Sequence, residues 1–73
     1  MTKALHVDEY NHFKKRLKEA RIQSGLTQMQ VAKRLGLPQS YISKIESGER
    51  RVDAVELEKI AKIYGKSISY FLK

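Results

Sequence analysis

Between two segments of helical pattern stand only three residues, Gly36, Leu37 and Pro38. So tight a connection forces the helices it joins to cross steeply, which is the geometry of a helix-turn-helix unit. It also sets steric demands on three positions. Ala32 must be small where the third helix crosses the second, Gly36 must permit the turn, and Ile42 must plug the angle between them. Pro38 suits a first helical position, because its fixed φ matches the helix and its missing N–H would be an orphan there. It also drives Leu37 out of helical geometry and so sharpens the turn.

The rest of the chain divides in the same way, with glycines at 25, 36, 48 and 65 each following a segment of helical periodicity. In the first segment Tyr10, Phe13, Leu17 and Ala20 form one apolar face, with Lys14, Lys15, Arg16 and Lys18 largely outside it. Thr27 to Gln30 has the form of a capping box, so a second helix starts near Thr27 and carries Val31, Ala32 and Leu35 to Gly36. The third helix spans Pro38 to Ser47, with Ile42 and Ile45 on its buried side. Asp53 to Glu56 opens a fourth, with Leu57, Ile60, Ala61 and Tyr64 in register, and Ser67 caps a short fifth with Ile68, Phe71 and Leu72 turned inward. No segment alternates with period two, so no sheet is expected.

The fold class read from this pattern is all-α, a compact bundle of five short helices around a central helix-turn-helix. Residues 7–73 form a single domain, and residues 1–6 are expected to be disordered. The expected core is Phe13, Leu17, Ala20, Leu26, Val31, Ala32, Leu35, Ile42, Ile45, Leu57, Ile60, Ala61, Ile68 and Leu72.

Composition narrows the function. The 73 residues carry 15 Lys and Arg against 8 Asp and Glu, a net charge of +7. Residues 1–51 hold 11 basic and 5 acidic groups, leaving 4 and 3 for residues 52–73. An excess gathered in one part of the chain fits a surface that faces a polyanion, although a charge kept for solubility would look similar. The chain has no cysteine, which excludes disulfides and cysteine-ligated metal sites. His6 and His12 read as solvated, and Asp8, Glu9, Glu19 and Glu49 as scattered surface charges. No catalytic set, metal spacing or phosphate-cradling glycine loop is present, so neither enzyme nor cofactor nor metal is expected. With no signal-peptide core and no apolar run of the roughly 18–20 residues a membrane span needs, a cytoplasmic location is the expectation.

At the residues themselves the chain resembles the Cro/phage-repressor (XRE-like) helix-turn-helix family. The resemblance lies in Gln28-x-x-Val31-Ala32-x-x-Leu35-Gly36 followed by Ile42-x-x-Ile45-Glu46-x-Gly48, preceded by Arg21 to Gln28. It covers about residues 10–72 and implies a lambda-repressor-like DNA-binding fold. One departure is Pro38, where family members often place a Ser or Thr cap. The missing cap costs about 1 kcal/mol.

The resemblance implies that the third helix enters the major groove with its N-terminus leading. Gln39, Ser40, Tyr41, Ser43 and Lys44 are then the base-reading candidates. Gln39 is the strongest, because a primary amide pairs with adenine N6 and N7 together. Tyr41 is open between contact with DNA and packing against the second helix. Thr27 and Gln28, at a helix N-terminus that favours anions, are phosphate candidates. Arg50, Arg51 and Lys18 are further phosphate candidates by position, with solvated surface charge as their plain alternative. In the resembled family Arg21 and Glu46 form a buried ion pair joining the first and third helices, and the same is expected here.

The function implied is a sequence-specific, double-stranded DNA-binding transcriptional regulator, repressor or activator. It is expected to act as a homodimer through helix five and the end of helix four, on a palindromic operator. Three alternatives accompany it: an antitoxin or adaptor whose main partner is a protein, the DNA-binding module of a longer protein, and a binder of nucleic acid without sequence preference, RNA included.

Overall fold

The computed structural model describes residues 2–73, with side chains from residue 8 onward. The five helices are α1 (Thr2–Gln23), α2 (Gln28–Leu35), α3 (Gln39–Ser47), α4 (Ala54–Tyr64) and α5 (Ile68–Leu72). No strand occurs among the described residues, and the chain is all-helical in the expected order. The apolar stripe that begins at Tyr10 occupies the second part of α1. The disorder expected of residues 1–6 falls outside the residues described with their side chains.

The helix ends follow local chemistry, with three departures from expectation. The Thr27 box is complete: Gln30 N–H donates to Thr27 Oγ1 at 3.1 Å, and Thr27 N–H donates to Gln30 Oε1 at 2.9 Å. At the far end of α2, Gly36 takes φ +71°, and Leu37 N–H donates back to the Ala32 carbonyl at 2.9 Å. This left-handed cap is what turns the chain within three residues. Pro38 is the extended residue before α3, with ψ 151°, and not its first helical residue, so α3 starts at Gln39. Asp53 caps α4 by accepting Glu56 N–H at 2.8 Å, but the carboxylate that would close a second box is bonded instead by the Tyr41 hydroxyl. Ser67 makes no cap bond, and its hydroxyl pairs with that of Ser69 at 3.0 Å.

The core gathers Leu17 and Ala20 of α1, Val31 and Ala32 of α2, Ile42 and Ile45 of α3, Leu57, Ile60 and Ala61 of α4, and Phe71 of α5. Leu26 and Leu35 are only partly buried against it. Ile68 and Leu72, expected inward, are 38 % and 69 % exposed. A helix as short as α5 has one inward face. Phe71 fills it with no exposed area, against Phe13 and Tyr64 at ring separations of 6.5 Å each. Successive residues are rotated by about 100° around the axis, so Leu72 is carried off that face. Full burial of a side chain such as Phe71 contributes about 2–3 kcal/mol. With α1 packed on both α3 and α5, and α2 on both α3 and α4, α3 is held from two sides and leaves one long face outward.

Candidate nucleic-acid interface

The outward face of α3 carries Gln39, Ser40, Ser43 and Lys44, all exposed. The opposite face is fixed by Ile42 and Ile45, at 0 % and 1 % exposure. Helical spacing accounts for the division: residues 39, 40, 43 and 44 fall on one side of a 3.6-residue period. None of the four side chains has a hydrogen bond or ion pair among the described residues. The Pro38 cap also supplies no side-chain oxygen to the first turn, so backbone N–H groups there remain open to a partner. The result is a polar, uncommitted face at the start of a rigidly seated helix.

Tyr41, expected beside these residues, belongs elsewhere. It is 5 % exposed and part of the core, and its hydroxyl donates to Glu56 Oε1. Burial first, and then this bond, push its phenol well above the usual range. The spacing held the signal, since positions 41 and 45 are one turn apart and so share the stripe of Ile45.

Arg21 and Glu46 form the expected ion pair. Arg21 Nε lies 2.6 Å from Glu46 Oε2 and Nη2 lies 3.1 Å from Oε1, while Nη1 donates to the Leu26 carbonyl at 3.0 Å. The side chains are 12 % and 5 % exposed. The bond to Glu46 raises the Arg21 pKa, against the opposing pull of burial.

Gln28 joins the same cluster. Its Nε2 donates to Glu46 Oε1 at 3.1 Å, so the half-buried amide is tied inward, with its carbonyl oxygen and second N–H left over. Thr27 is exposed and already accepts one bond through its hydroxyl oxygen, which leaves the O–H as its remaining donor. The two residues mark the N-terminus of α2 beside α3, with fewer free donors than their sequence position implies.

The loop arginines diverge. Arg50 Cζ sits 4.7 Å above the Tyr41 ring, on the α3 side. Arg51 Cζ sits 4.2 Å above the Tyr10 ring, on the α1 side, and lines a groove with Phe13, Leu57, Phe71 and Leu72. Lys18 is exposed on α1, beside a shallow cleft it shares with Lys14, Lys15 and Glu46. Lys14 is laid across Gly48 at the end of α3: a Cβ on Gly48 would come within 2.7 Å of its Nζ. That puts a positive charge at a helix C-terminus, where the macrodipole favours it. These ring and dipole contacts join residues far apart in sequence, and no local pattern announces them.

Comparison with known proteins agrees with this fold. Residues 17–71 match the helix-turn-helix family. The chain is 44 % identical over 57 residues to the HTH-type transcriptional regulator PuuR of Escherichia coli strain K12, and equally to that of Shigella flexneri. Each match spans 78 % of this chain but 31 % of the regulator. A solved structure of an XRE-family like protein from Pseudomonas syringae pv. tomato superposes with a TM-score of 0.89 at 39 % identity, covering 97 % of this chain and 87 % of that one. With the fold, the spaced residues and these matches in agreement, the chain belongs to the XRE-type helix-turn-helix family.

Proposed function

We propose that the protein is a sequence-specific, double-stranded DNA-binding transcriptional regulator that places α3 in the major groove. The observation that carries this reading is the face of Gln39, Ser40, Ser43 and Lys44, exposed and free of internal partners on a helix whose other side is locked in the core. Gln39 reads adenine through both amide atoms, and Lys44 meets guanine O6/N7 or a phosphate. Thr27, Gln28, Arg50 and Lys18 contact the phosphate backbone, with Gln28 using the donor that Glu46 leaves free. Arg51, drawn to Tyr10, has at most a lesser share. Non-enzymatic function follows from the same family match.

One such domain reads few base pairs, so useful specificity calls for a homodimer on a palindromic operator. Exposed Ile68 and Leu72 make α5, with the end of α4, the proposed dimer surface. Phe71 is spent on the core. No helix among the described residues is long and apolar enough to cross a membrane, and a cytoplasmic location goes with the proposal.

Selection of bound sequences from random duplexes tests this. The expected result is an enriched palindrome, and Gln39→Ala relaxes the preference at one position of each half-site by about 1–3 kcal/mol. No enrichment at moderate salt defeats the reading. An unaltered preference in Gln39→Ala defeats the assignment of Gln39.

A further inference from the structure

Four cations lie over aromatic rings among the described residues: Arg16 and Lys66 over Tyr70, Arg51 over Tyr10, and Arg50 over Tyr41. Two of them share their ring, and the third rests on a ring of α1 away from α3. Arg16 and Lys66 crowd the same ring, and Arg16 Nε also donates to His12 Nε2 at 3.3 Å. Arg51 rests on a ring that is itself packed against Phe13 at 5.5 Å and lines the groove by α5.

Arg50 differs in each respect. Its ring belongs to a core residue of α3, and that ring is anchored at its far end by the hydroxyl bond to Glu56 of α4. Its backbone is anchored too, because Arg50 N–H donates to the Lys44 carbonyl at 3.3 Å. Both ends of the residue therefore travel with α3. Stacking occupies the face of a guanidinium and leaves the N–H donors in its plane, and no hydrogen bond or ion pair engages them among the described residues. A planar fork with fixed orientation and free in-plane donors is suited to phosphate, which it can meet through two parallel bonds. An arginine free to sample its rotamers would lose side-chain entropy on making the same contact.

We propose that Tyr41 is a positioning residue for DNA binding. Its buried ring holds the Arg50 guanidinium beside the end of α3, poised to grip a backbone phosphate as α3 enters the groove. The proposal rests on the DNA-binding reading above. Tyr41 thus acts on DNA without touching a base.

The test is a double-mutant cycle on binding to mixed-sequence duplex DNA across a salt series, with thermal melts showing that each variant is folded. Arg50→Ala is expected to reduce the salt slope by about 0.9, the signature of one lost phosphate contact. Tyr41→Leu weakens binding about two- to fivefold in the natural background. In the Arg50→Ala background it causes no further loss. Tyr41→Phe keeps the ring and recovers most of what Tyr41→Leu loses. A purely structural role for Tyr41 predicts losses that multiply in the double variant, and that result overturns the proposal. Should Tyr41→Leu not fold, proton NMR of the natural protein decides: a stacked Arg50 shows ring-current upfield shifts of its side-chain protons, and ordinary shifts overturn it. Duplex binding with an unchanged slope in Arg50→Ala defeats the positioning proposal alone. Absence of duplex binding by the natural protein at low salt defeats the functional reading with it.

Discussion

Two arginines flank α3, and their neighbours put them to opposite uses. Arg21 meets a carboxylate: Glu46 and the Leu26 carbonyl take up Nε, Nη1 and Nη2, and its charge is cancelled inside the α1–α3 contact. Arg50 meets an aromatic ring, which accepts the face of the guanidinium and consumes none of its donors. The first arrangement ties helices together and offers nothing to a partner. The second keeps its charge and its hydrogen-bonding capacity at the surface. Residue type does not separate the two roles. What separates them is whether the partner side chain uses up the edge of the guanidinium or only its face.

The largest expected effect comes from breaking the first arrangement. Glu46→Ala strands Arg21 where its side chain is 12 % exposed and also releases Gln28 Nε2. Loss of one partner from a buried pair costs about 3 kcal/mol or more, read as a fall in the urea midpoint. A loss below about 1 kcal/mol would mean that the pair behaves as a solvated surface bridge, and the contrast with Arg50 would collapse.

Next in size is a pH effect, because each arginine has a buried tyrosine beside it. Tyr64 lies near Arg21 and Glu46, Tyr41 near Arg50 and Glu56, and burial pushes both phenols upward as the leading cause. A raised pKa means that the folded protein keeps protons the unfolded chain gives up above about pH 10. The stabilisation is complete below that pH and is lost as pH climbs toward the folded values, by at most about 1.4 kcal/mol per pH unit for each tyrosine. Urea titrations from about pH 9 to about pH 11 should show this decline, with Tyr64→Phe and Tyr41→Phe each removing one share. If only one substitution flattens it, water reaches the other ring, and the two sides of α3 are not equally sealed.

Much of this was legible in the chain, for reasons that particular residues make plain. Ile42 and Ile45, Leu57 to Ala61, and the Thr27 box are local signals, set by spacing along one helix, and each is realised as expected. The Arg21–Glu46 pair came through family resemblance, since no rule of spacing links residues on different helices. What the sequence hid was competition for a shared partner. Glu56 has the position of a capping-box acid, yet Tyr41 takes its carboxylate. Gln28 has the position of a phosphate contact, yet Glu46 takes one of its donors. Leu72 is apolar, yet Phe71 had already filled the only inward face of α5. Each outcome depends on a neighbour distant in sequence, and periodicity carries no information about that neighbour.

The smallest expected effect isolates the ring partner from the charge. Arg50 and Arg51 are adjacent, both exposed, and each stacked on a tyrosine, so alanine at either removes the same unit of net charge. If overall charge drove binding, the two variants would lose affinity equally. Arg51 is stacked on Tyr10 of α1 and lines the groove of Phe71 and Leu72, whereas Arg50 is stacked on Tyr41 of α3. Arg51→Ala should therefore weaken binding to mixed-sequence duplex by less than about twofold and leave the salt slope nearly intact, against a change of about 0.9 for Arg50→Ala. Its cost in stability should be about 0.5 kcal/mol, the worth of one exposed stack. Equal slopes in the two variants would show that both arginines grip phosphate, and that the ring beneath each does not decide its role.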